Sequence, residues 1–344
     1  MEASGPDGRR GHEGRADERV AREGAAREGV ARRGAVLLMG PTGAGKSDLA
    51  VQLAEKFPFE IVSTDSALVY RGMDIGTAKP DLETRGRVPH HLIDIRDPAS
   101  TYSAGEFVLD ASVIMEDIWR RGRVPLFVGG TMLYFHALSQ GIADLPEGNP
   151  EVRAQIDARA ASVGWPEVHR ELSEVDPEAA AKIHGNDPQR IQRALEVFRI
   201  TGQPISKLQQ SRVSVLEDVE VIELALAPVD RKVLHERIQK RFAAMLAAGL
   251  VDEVKKLRER SDLHAEQPSM RAVGYRQVWR YLAGECSLNE ATEQAIAATR
   301  QLAKRQLTWL RARPHAQWFD SAHRDVAVSL NTALSRGDIA EWIY

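Results

Sequence analysis

The sequence predicts an α/β protein with a parallel sheet, a phosphate-binding loop and an inserted helical domain. A wholly apolar run precedes the glycine-rich segment at residues 40–47, and a helical pattern follows it. Further apolar runs alternate with helical patterns, as strands and helices do in such sheets. A charged, Ala-rich stretch without a convincing strand, residues 151 to about 202, then interrupts the alternation.

The strands of this sheet are predicted from short apolar runs. AVLLMG (35–40) is typical of a buried parallel strand, and a helix is predicted from the glycine-rich segment through Lys56. FEIVSTDS (59–66) is predicted as a second strand that ends in polar residues, and HHLIDI (90–95) as a short third one. VPLFVGGT (124–131) is a further buried strand, which ends in a Gly-Gly-Thr turn.

Helical patterns fill most of the remaining chain. A helix is predicted over 103–121, because Ser103 can cap its start and Glu106 lies three residues further on. GIADLPEGNP (141–150) is rich in Gly and Pro and is predicted as a loop, and VEVIELALAP (219–228) as a strand that returns to the sheet. Three more helical regions are expected, at 151 to about 202, 231–260 and 288–313.

These elements divide the chain into five segments: an N-terminal extension (1–34), the first part of the core (35–142), a helical insertion domain (143–205), the second part of the core (206–320) and a C-terminal tail or helix (321–344). The extension contains no aromatic residue, so it cannot bury enough apolar surface to become ordered, and we expect disorder. Its arginines would suit an RNA-binding arm, but the alternating acids that nearly cancel them favour a solvated tail.

Composition limits the function classes. The 46 basic and 49 acidic residues give a formal net charge of −3, which excludes binding of nucleic acid over the whole surface but allows a local basic face. The single cysteine, Cys286, excludes an internal disulfide and a Cys-rich zinc site. No stretch approaches the ~20 apolar residues of a membrane span, and no secretory signal is evident. We therefore expect a soluble cytoplasmic protein without a membrane partner, and a monomer.

The segment GPTGAGKS (40–47) matches the phosphate-loop pattern G-x-x-x-x-G-K-[ST] at each fixed position. Its glycines let backbone N–H groups turn toward phosphate oxygens, and the following helix directs its positive end at the same anion. Lys46 adds a positive charge, and the Ser47 hydroxyl can ligate Mg²⁺. The core is thus predicted to be P-loop NTPase-like, with phosphate contacts from Gly40, Thr42, Gly43, Ala44, Gly45, Lys46 and Ser47.

Phosphoryl transfer from ATP would require a Mg²⁺-holding aspartate after an apolar strand. Asp65, Asp94 and Asp97 are the candidates, but no lid segment of the nucleotide-kinase type accompanies them. Asp65 and Thr131 each end a predicted strand, and ligands bind beyond the carboxyl ends of strands in open α/β sheets. On position alone, the two residues fit a functional role and a capping or turn role equally well.

Six motifs resemble one family, the bacterial tRNA isopentenyltransferases or tRNA dimethylallyltransferases. They occur in the family's order across roughly residues 35 to 320, behind the intact phosphate loop. The motifs are VSTDSALVYRGMDIGTAKP (62–80), DIRDP (94–98), VGGTMLY (128–134), NDPQRIQRALEV (186–197), RAVGYRQVW (271–279) and ATRQLAKRQLTWLR (298–311).

The resemblance implies transfer of a dimethylallyl group from dimethylallyl diphosphate to the exocyclic N6 amine of the adenosine 3′-adjacent to the anticodon of tRNA. The phosphate loop then holds a prenyl diphosphate rather than ATP, with Mg²⁺ as the cofactor. By the family match, Asp65 is the base that accepts the amine proton and Thr131 helps to position the amine. Arg241 matches an arginine that faces the diphosphate, for which a guanidinium offers a planar fork of donors.

The resemblance also implies contacts with the anticodon stem-loop of tRNA in several segments. They comprise Asp65, Ser66, Ala67, Leu68 and Thr131 beside the base, Arg153 in the insert, Gln189, Arg190, Ile191, Gln192 and Arg193, then Arg271, Ala272, Val273, Gly274, Tyr275 and Arg276, and finally Lys304, Arg305, Gln306, Leu307, Thr308, Trp309, Leu310 and Arg311. Tyr275, between two arginines, could stack on a base or simply pack, and an exposed position would favour stacking.

Helical spacing over 300–313 predicts one basic face backed by one buried face. The basic face comprises Arg300, Lys304 and Arg311, and the buried face Leu302, Ala303, Trp309 and Leu310. Periodicity alone fits a solvated surface helix, whereas the resemblance favours an RNA contact. Two other classes stay open: a small-molecule P-loop kinase, which would form ADP from ATP, and a non-catalytic RNA-binding module, which would bind tRNA without forming a product.

Overall fold

The computed structural model describes residues 32–143, 145–210, 212–337 and 339–342. Its eight strands are β1 Gly34–Met39, β2 Phe59–Thr64, β3 His90–His91, β4 Val124–Gly129, β5 Ile142–Ala143, β6 Arg212–Val213, β7 Glu220–Ala227 and β8 Gln317–Asp320. Six of them form a parallel sheet in the order β3-β2-β4-β1-β7-β8. The other two, β5 and β6, form a separate antiparallel pair.

Fourteen α-helices occur in the described residues: α1 Lys46–Ala54, α2 Leu82–Arg87, α3 Ala104–Arg120, α4 Met132–Gln140, α5 Pro150–Val163, α6 Trp165–Val175, α7 Pro177–Lys182, α8 Pro188–Thr201, α9 Ile205–Leu208, α10 Arg231–Ala247, α11 Leu250–Arg258, α12 Tyr275–Leu282, α13 Leu288–Arg311 and α14 Val326–Arg336. A short 3₁₀ helix, Ile339–Trp342, follows. No helix in the described part of the chain is both long and apolar enough to cross a membrane.

The sheet is buried on both faces, which explains why its central strands are apolar throughout. Along β1, Leu37 and Met39 pack with side chains of α3 and α4, whereas Val36 and Leu38 pack with α1 and α14. Successive side chains of a strand point to opposite faces, so one strand supplies both cores. The result is a three-layer α/β/α arrangement, as predicted.

The insert has an apolar cluster of its own. Ile156, Val168, Leu172, Ile191 and Val197 are buried together on helices α5, α6 and α8. As predicted, this stretch contains no strand in the described residues. The predicted limits of the insertion domain and of the other four segments stay predictions.

Several element predictions are confirmed. The helix predicted at 103–121 is α3, and Ser103 and Glu106 form the reciprocal pair of hydrogen bonds of a capping box at its start. The runs predicted at 59–66, 124–131 and 219–228 contain β2, β4 and β7.

Other predictions were wrong in detail. The third strand covers only His90–His91, because the chain turns at Leu92 and Asp94, which have positive φ. The helix expected over 231–260 is two helices, since Gly249 takes φ of 99° between them. The loop predicted at 141–150 contains β5.

The two ends of the chain also differ from expectation. The predicted disorder of the N-terminal extension concerns residues that lie largely outside the described ones, but Gly34 already belongs to β1. At the other end, β8 was not predicted as a strand, and α14 follows it in the segment expected to be a tail or helix.

Candidate active site

The carboxyl ends of β1, β2 and β4 meet beside a cavity of about 470 Å³. Thr42 of the phosphate loop, Asp65 after β2 and Thr131 after β4 all line it. Arg241 of α10 and Gln306 of α13 line it from the opposite side. The structure thus brings together the predicted phosphate loop, base and arginine, at the edge of the sheet where ligands bind in open α/β folds.

The phosphate loop has the backbone shape that its glycines permit. Gly43 and Gly45 take φ of 80° and 86°, in the left-handed region that side chains disfavour. Helix α1 starts at Lys46, so the first N–H groups of this helix have no partner within it and are available to an anion. Seven residues were predicted to bind phosphate here, and the loop geometry is suited to that role.

Lys46 is the cation of this loop. Its Nζ donates a hydrogen bond to the carbonyl oxygen of Pro41 at 2.9 Å. Burial lowers the pKa of Lys46 to about 8; the negative charge of Asp65 partly offsets this, and the positive charge of Arg241 adds to it. A diphosphate would supply the counter-charge that this ammonium group otherwise lacks.

Asp65 and Thr131 are held by hydrogen bonds to the loop that follows β2. Asp65 Oδ1 accepts from the N–H of Ala67 at 2.9 Å. Thr131 Oγ1 accepts from the N–H of Ser66 at 3.0 Å and donates to Ser66 Oγ at 3.3 Å. Asp65 therefore has a local turn role, whereas Thr131 links the ends of β2 and β4, and both residues line the cavity. The two interpretations left open by the sequence are compatible.

A backbone carbonyl group holds the Arg241 side chain at the wall of the cavity. Its Nη2 donates to the carbonyl oxygen of Thr77 at 3.2 Å. Burial lowers the pKa of its guanidinium, while the negative charge of Asp65 acts in the opposite direction. Lys46, Arg241 and Asp65 thus form one electrostatically coupled group around the cavity, with two positive charges on the side expected for the diphosphate.

Gln306 connects two loops of the site, a role that the sequence did not reveal. Its Oε1 accepts from the N–H of Thr42 at 2.9 Å, and its Nε2 donates to the carbonyl oxygen of Gly130 at 2.8 Å. One amide side chain of α13 therefore bonds to the phosphate loop and to the turn that carries Thr131. The family resemblance implied only a tRNA contact for Gln306, and the sequence gives no sign of the other role because the partners are backbone groups distant in the chain.

Apolar side chains cover another part of the cavity. They are Ile238, Phe242 and Met245 of α10, Leu302 of α13, and Val273. An apolar wall beside a cationic phosphate site suits a ligand with a hydrocarbon group attached to a diphosphate. The spacing of these residues along α10 indicates a buried face but gave no sign of a ligand cavity.

The alternative Mg²⁺ aspartates are engaged elsewhere. Asp94 accepts hydrogen bonds from Lys79 at 2.5 Å and Arg85 at 2.7 Å, and Asp97 accepts from Arg260 at 2.7 Å. For Asp94, burial acts to raise the pKa, but the two cationic partners outweigh it and the net shift is downward. Neither residue lines the cavity. The two aspartates therefore have structural roles. Of the three aspartates that could hold Mg²⁺ in a kinase, Asp65 alone lines the cavity.

The long helix α13 presents a different face from the predicted one. Lys304, Arg305 and Arg311 are exposed, as an RNA contact requires, but Arg300 is partly buried and its Nε has no hydrogen-bond partner in the described residues. Trp309, expected on the buried side, is 45% exposed and lines the cavity mouth near Leu133. Its ring lies edge-on to His136, with centroids 5.8 Å apart. Leu302 is also only partly buried, because the cavity opens there.

Tyr275 is fully buried, which fits the packing alternative that the sequence left open and not an exposed stacking residue. Its hydroxyl donates to Glu253 at 2.5 Å. Three other residues of the predicted tRNA segments have buried side chains, Ile191, Leu307 and Leu310, and Gly274 is a buried backbone position. The exposed polar residues of those segments, among them Gln189, Arg190, Arg271, Arg276 and Thr308, are accessible to RNA.

The arginines predicted in the insert share one buried carboxylate. Arg153 Nε donates to Glu196 Oε1 at 2.8 Å, and Arg193 Nη1 donates to Glu196 Oε2 at 2.6 Å. Glu196 is fully buried, and burial alone would raise its pKa, but the two guanidinium groups outweigh this and lower it. The arginines are thus held in place together, with side chains still partly accessible.

Comparison with known proteins places this geometry in a family. The family model described as IPP transferase matches residues 68–313. A tRNA dimethylallyltransferase of Nitrosococcus oceani is 59% identical over 292 residues, which cover 85% of this chain and 93% of the relative. The tRNA dimethylallyltransferase 2 of Hahella chejuensis is 55% identical over 300 residues, covering 83% of this chain and 90% of the relative.

Solved structures of similar proteins have the same fold. The tRNA isopentenylpyrophosphate transferase of Bacillus halodurans is 36% identical, with a TM-score of 0.65, and the match covers 90% of this chain and 98% of that one. A eukaryotic dimethylallyltransferase acting on tRNA is 27% identical, with a TM-score of 0.75, and the match covers 90% of this chain and 80% of that one.

Proposed function

The chain belongs to the IPP transferase family, and from this we propose that it is a tRNA dimethylallyltransferase. It transfers the dimethylallyl group of dimethylallyl diphosphate to the exocyclic N6 amine of the adenosine 3′-adjacent to the anticodon. The products are N6-isopentenyladenosine in tRNA and diphosphate. The observation that carries the proposal is one cavity lined together by Thr42 of the phosphate loop, Arg241, an apolar wall and Asp65.

The transfer replaces one bond at the allylic carbon. The N6 nitrogen forms a bond to this carbon while the C–O bond breaks, and the diphosphate leaves with the bonding electron pair. Negative charge therefore develops on the diphosphate in the transition state. Lys46, Arg241 and the N–H groups at the start of α1 stabilise it, because they are fixed in place before the reaction begins.

The attacking amine must lose a proton. Asp65 lines the cavity together with Thr131, so a carboxylate and a hydroxyl are available beside the reacting nitrogen. Asp65 accepts the proton, and Thr131, held by Ser66, positions the amine. The target base must leave the anticodon-loop stack to reach this cavity.

Mg²⁺ is the cofactor that we propose for the diphosphate. The described residues contain no group of three or more His, Cys, Asp or Glu side chains that could hold a metal ion by themselves. A site with few protein ligands suits Mg²⁺, because this ion is commonly bound by one or two protein ligands together with substrate phosphates. Ser47 would be the protein ligand, and the ion would neutralise part of the charge on the leaving group.

The exposed residues of α13, the segment 271–276 and the insert would hold the anticodon stem-loop. The basic residues among them are clustered locally. Because the chain as a whole has a net charge of −3, such local clusters are needed to contact the phosphates of the RNA. We further propose that the enzyme is a cytoplasmic monomer. Light scattering during gel filtration, in the presence and absence of tRNA, tests the monomer: one chain of 38.1 kDa is expected in the free protein.

Incubation with labelled dimethylallyl diphosphate and unmodified tRNA, followed by nucleoside analysis, tests the proposed activity. We expect label in N6-isopentenyladenosine and release of diphosphate. ADP formed from ATP and a small acceptor, without label in tRNA, would instead support a kinase. Tight binding of tRNA with no labelled nucleoside would show a non-catalytic module.

A further inference from the structure

A second carboxylate, Glu253, organises the cavity wall that carries Arg241. Glu253 lies in the first turn of α11 and reaches the loop 73–78, between β2 and α2. Its Oε2 accepts from the N–H groups of Asp74 at 3.0 Å and Ile75 at 2.8 Å, and its Oε1 accepts from the N–H of Gly76 at 3.1 Å. Three backbone donors on one carboxylate form a strong, charge-assisted anchor for the loop.

Tyr275 supplies the fourth hydrogen bond. Its hydroxyl donates to Glu253 Oε1 at 2.5 Å from the start of α12. Burial, together with the negative charge of Glu253, raises the pKa of Tyr275, so the phenol remains a donor. The ring lies directly on the loop, because a Cβ added to Gly76 would be 2.4 Å from it. Only glycine fits at that position without displacing the ring.

The anchored loop ends at the expected diphosphate site. Gly76 and Thr77 line the cavity, and the carbonyl oxygen of Thr77 accepts from Arg241 Nη2 at 3.2 Å. The loop is also tied internally, since Thr77 Oγ1 donates to the carbonyl oxygen of Met73 at 2.7 Å. A change in how Glu253 holds the loop would therefore move Thr77 and alter the position of Arg241.

We propose that Glu253 is a positioning residue for the transfer reaction. Together with Tyr275 it clamps the loop 73–78, so that the Thr77 carbonyl holds the Arg241 guanidinium against the diphosphate. The clamp also connects Arg241 to the segment 271–276, which is expected to contact tRNA. This inference rests on the proposed function, because it requires a diphosphate in front of Arg241.

The substitution Glu253→Gln tests the clamp with little change in size. A glutamine offers one acceptor oxygen, and its NH₂ group opposes backbone donors. We expect kcat/KM for dimethylallyl diphosphate to fall about tenfold, since small displacements of a positioned group cost factors of this order or more. Asp252→Asn is the matched control: it removes the same charge from the same helical turn, at an exposed side chain. It should retain the wild-type kcat/KM.

A double-mutant cycle with Arg241→Lys identifies the route of the effect. If Glu253 acts through Arg241, Glu253→Gln should lower kcat/KM by less than about twofold in the Arg241→Lys background. Equal losses in both backgrounds would overturn the inference, as would a wild-type kcat/KM for Glu253→Gln.

Tyr275→Phe provides a milder variant that keeps the buried ring, and it applies if Glu253→Gln does not fold. It should show a smaller loss with the same dependence on Arg241, and a loss independent of Arg241 would overturn the clamp. Failure of the proposed function is distinguishable, because the wild-type protein would then form no isopentenyladenosine before any variant is compared.

Discussion

Asp65 combines a structural hydrogen bond with the proposed role as the catalytic base. The bond from the Ala67 N–H to Oδ1 fixes the side chain at the end of β2, where it faces the cavity beside Thr131. A base that is already oriented loses little entropy when the amine arrives. The local turn and the proposed proton transfer therefore support each other.

Asp65→Asn separates these two roles. The amide oxygen can still accept from Ala67, but the side chain no longer accepts a proton at neutral pH. We expect kcat to fall by roughly 10²–10⁴-fold with an unchanged unfolding temperature, as is typical for removal of a general base. Single-turnover labelling of tRNA measures the rate, and a wild-type rate would exclude Asp65 as the base.

The lowered pKa of Lys46 predicts that binding of the proposed diphosphate depends on pH. Its pKa is lowered to about 8, so in the free enzyme the ammonium is charged below this pH and loses its proton above it. We expect kcat/KM for dimethylallyl diphosphate to fall as the pH rises through 8. Lys46→Arg keeps its charge over this range, so its profile should lack that decrease even if its activity is lower. An identical decrease in both proteins would assign it to another group.

At the scale of elements, helix α13 has two functional sides. Gln306 and Leu302 line the cavity, and Lys304 and Arg311 are exposed and do not line it, whereas Arg305 is exposed and also lines the cavity. An RNA bound to the exposed side would thus lie against the same helix that is bonded to the phosphate loop. The net charge of the chain is slightly acidic and gives no indication of either side, because it does not report where the charges lie.

Neutralising the exposed side should weaken tRNA binding in a salt-dependent manner. For Lys304→Gln combined with Arg311→Gln, the slope of log K against log salt should become shallower by about 1 per lost phosphate contact. Filter binding of tRNA at several salt concentrations measures this slope. The matched control, Lys255→Gln with Lys256→Gln, removes two exposed charges from α11 and should retain the wild-type slope. An unchanged slope for the α13 variant would make this face a solvated surface only.

The features that could not be predicted from the sequence are those that depend on contacts with distant parts of the chain. QWFD becomes β8 because it pairs with β7, and four residues of mixed polarity carry no strand pattern of their own. Helical spacing places Trp309 on the same side of α13 as buried residues, but the cavity opens there and leaves its side chain exposed. The phosphate loop was predictable because a contiguous motif specifies it, whereas Asp65 was a candidate from its place after a strand and was chosen through the family resemblance. Gln306 and Glu253 were not, because each binds backbone groups distant in the chain.

At the scale of the whole molecule, two carboxylates in separate parts of the fold carry buried charge. Glu60 of β2 accepts from Arg121 at 2.7 Å and contacts His91 at 2.8 Å, and Glu196 of α8 is bound by Arg153 and Arg193. Burial opposes ionisation of both groups, but their cationic partners outweigh it, so the pKa of each is lowered in the folded protein.

The sign of these shifts predicts acid sensitivity. A carboxyl whose pKa is lower in the folded state stabilises the fold above its unfolded pKa, about 4.3 for Glu, and loses this contribution as the pH falls below it. We expect the contribution of these two groups to the free energy of unfolding to be nearly constant from pH 7 to 5 and to decrease below about pH 4.5. Urea unfolding at each pH measures it. Glu196→Gln should flatten the decrease, whereas the exposed control Glu259→Gln should not; the opposite result would contradict the assignment.

The path of the chain through the sheet also has a consequence for synthesis on the ribosome. The phosphate loop follows β1, yet β1 pairs with β4 and β7, and Arg237 of α10 donates to Ser321, just after β8. Ser321 is made on the order of 280 residues after the loop. At about 5–20 residues per second, this interval lasts roughly 15–55 s. Arg237 also donates to the carbonyl oxygen of Ala44 in the phosphate loop, so this contact is complete only when Ser321 has been made. We therefore expect the apolar β1 to be partly exposed in the nascent chain until its partners β4 and β7 have been synthesised.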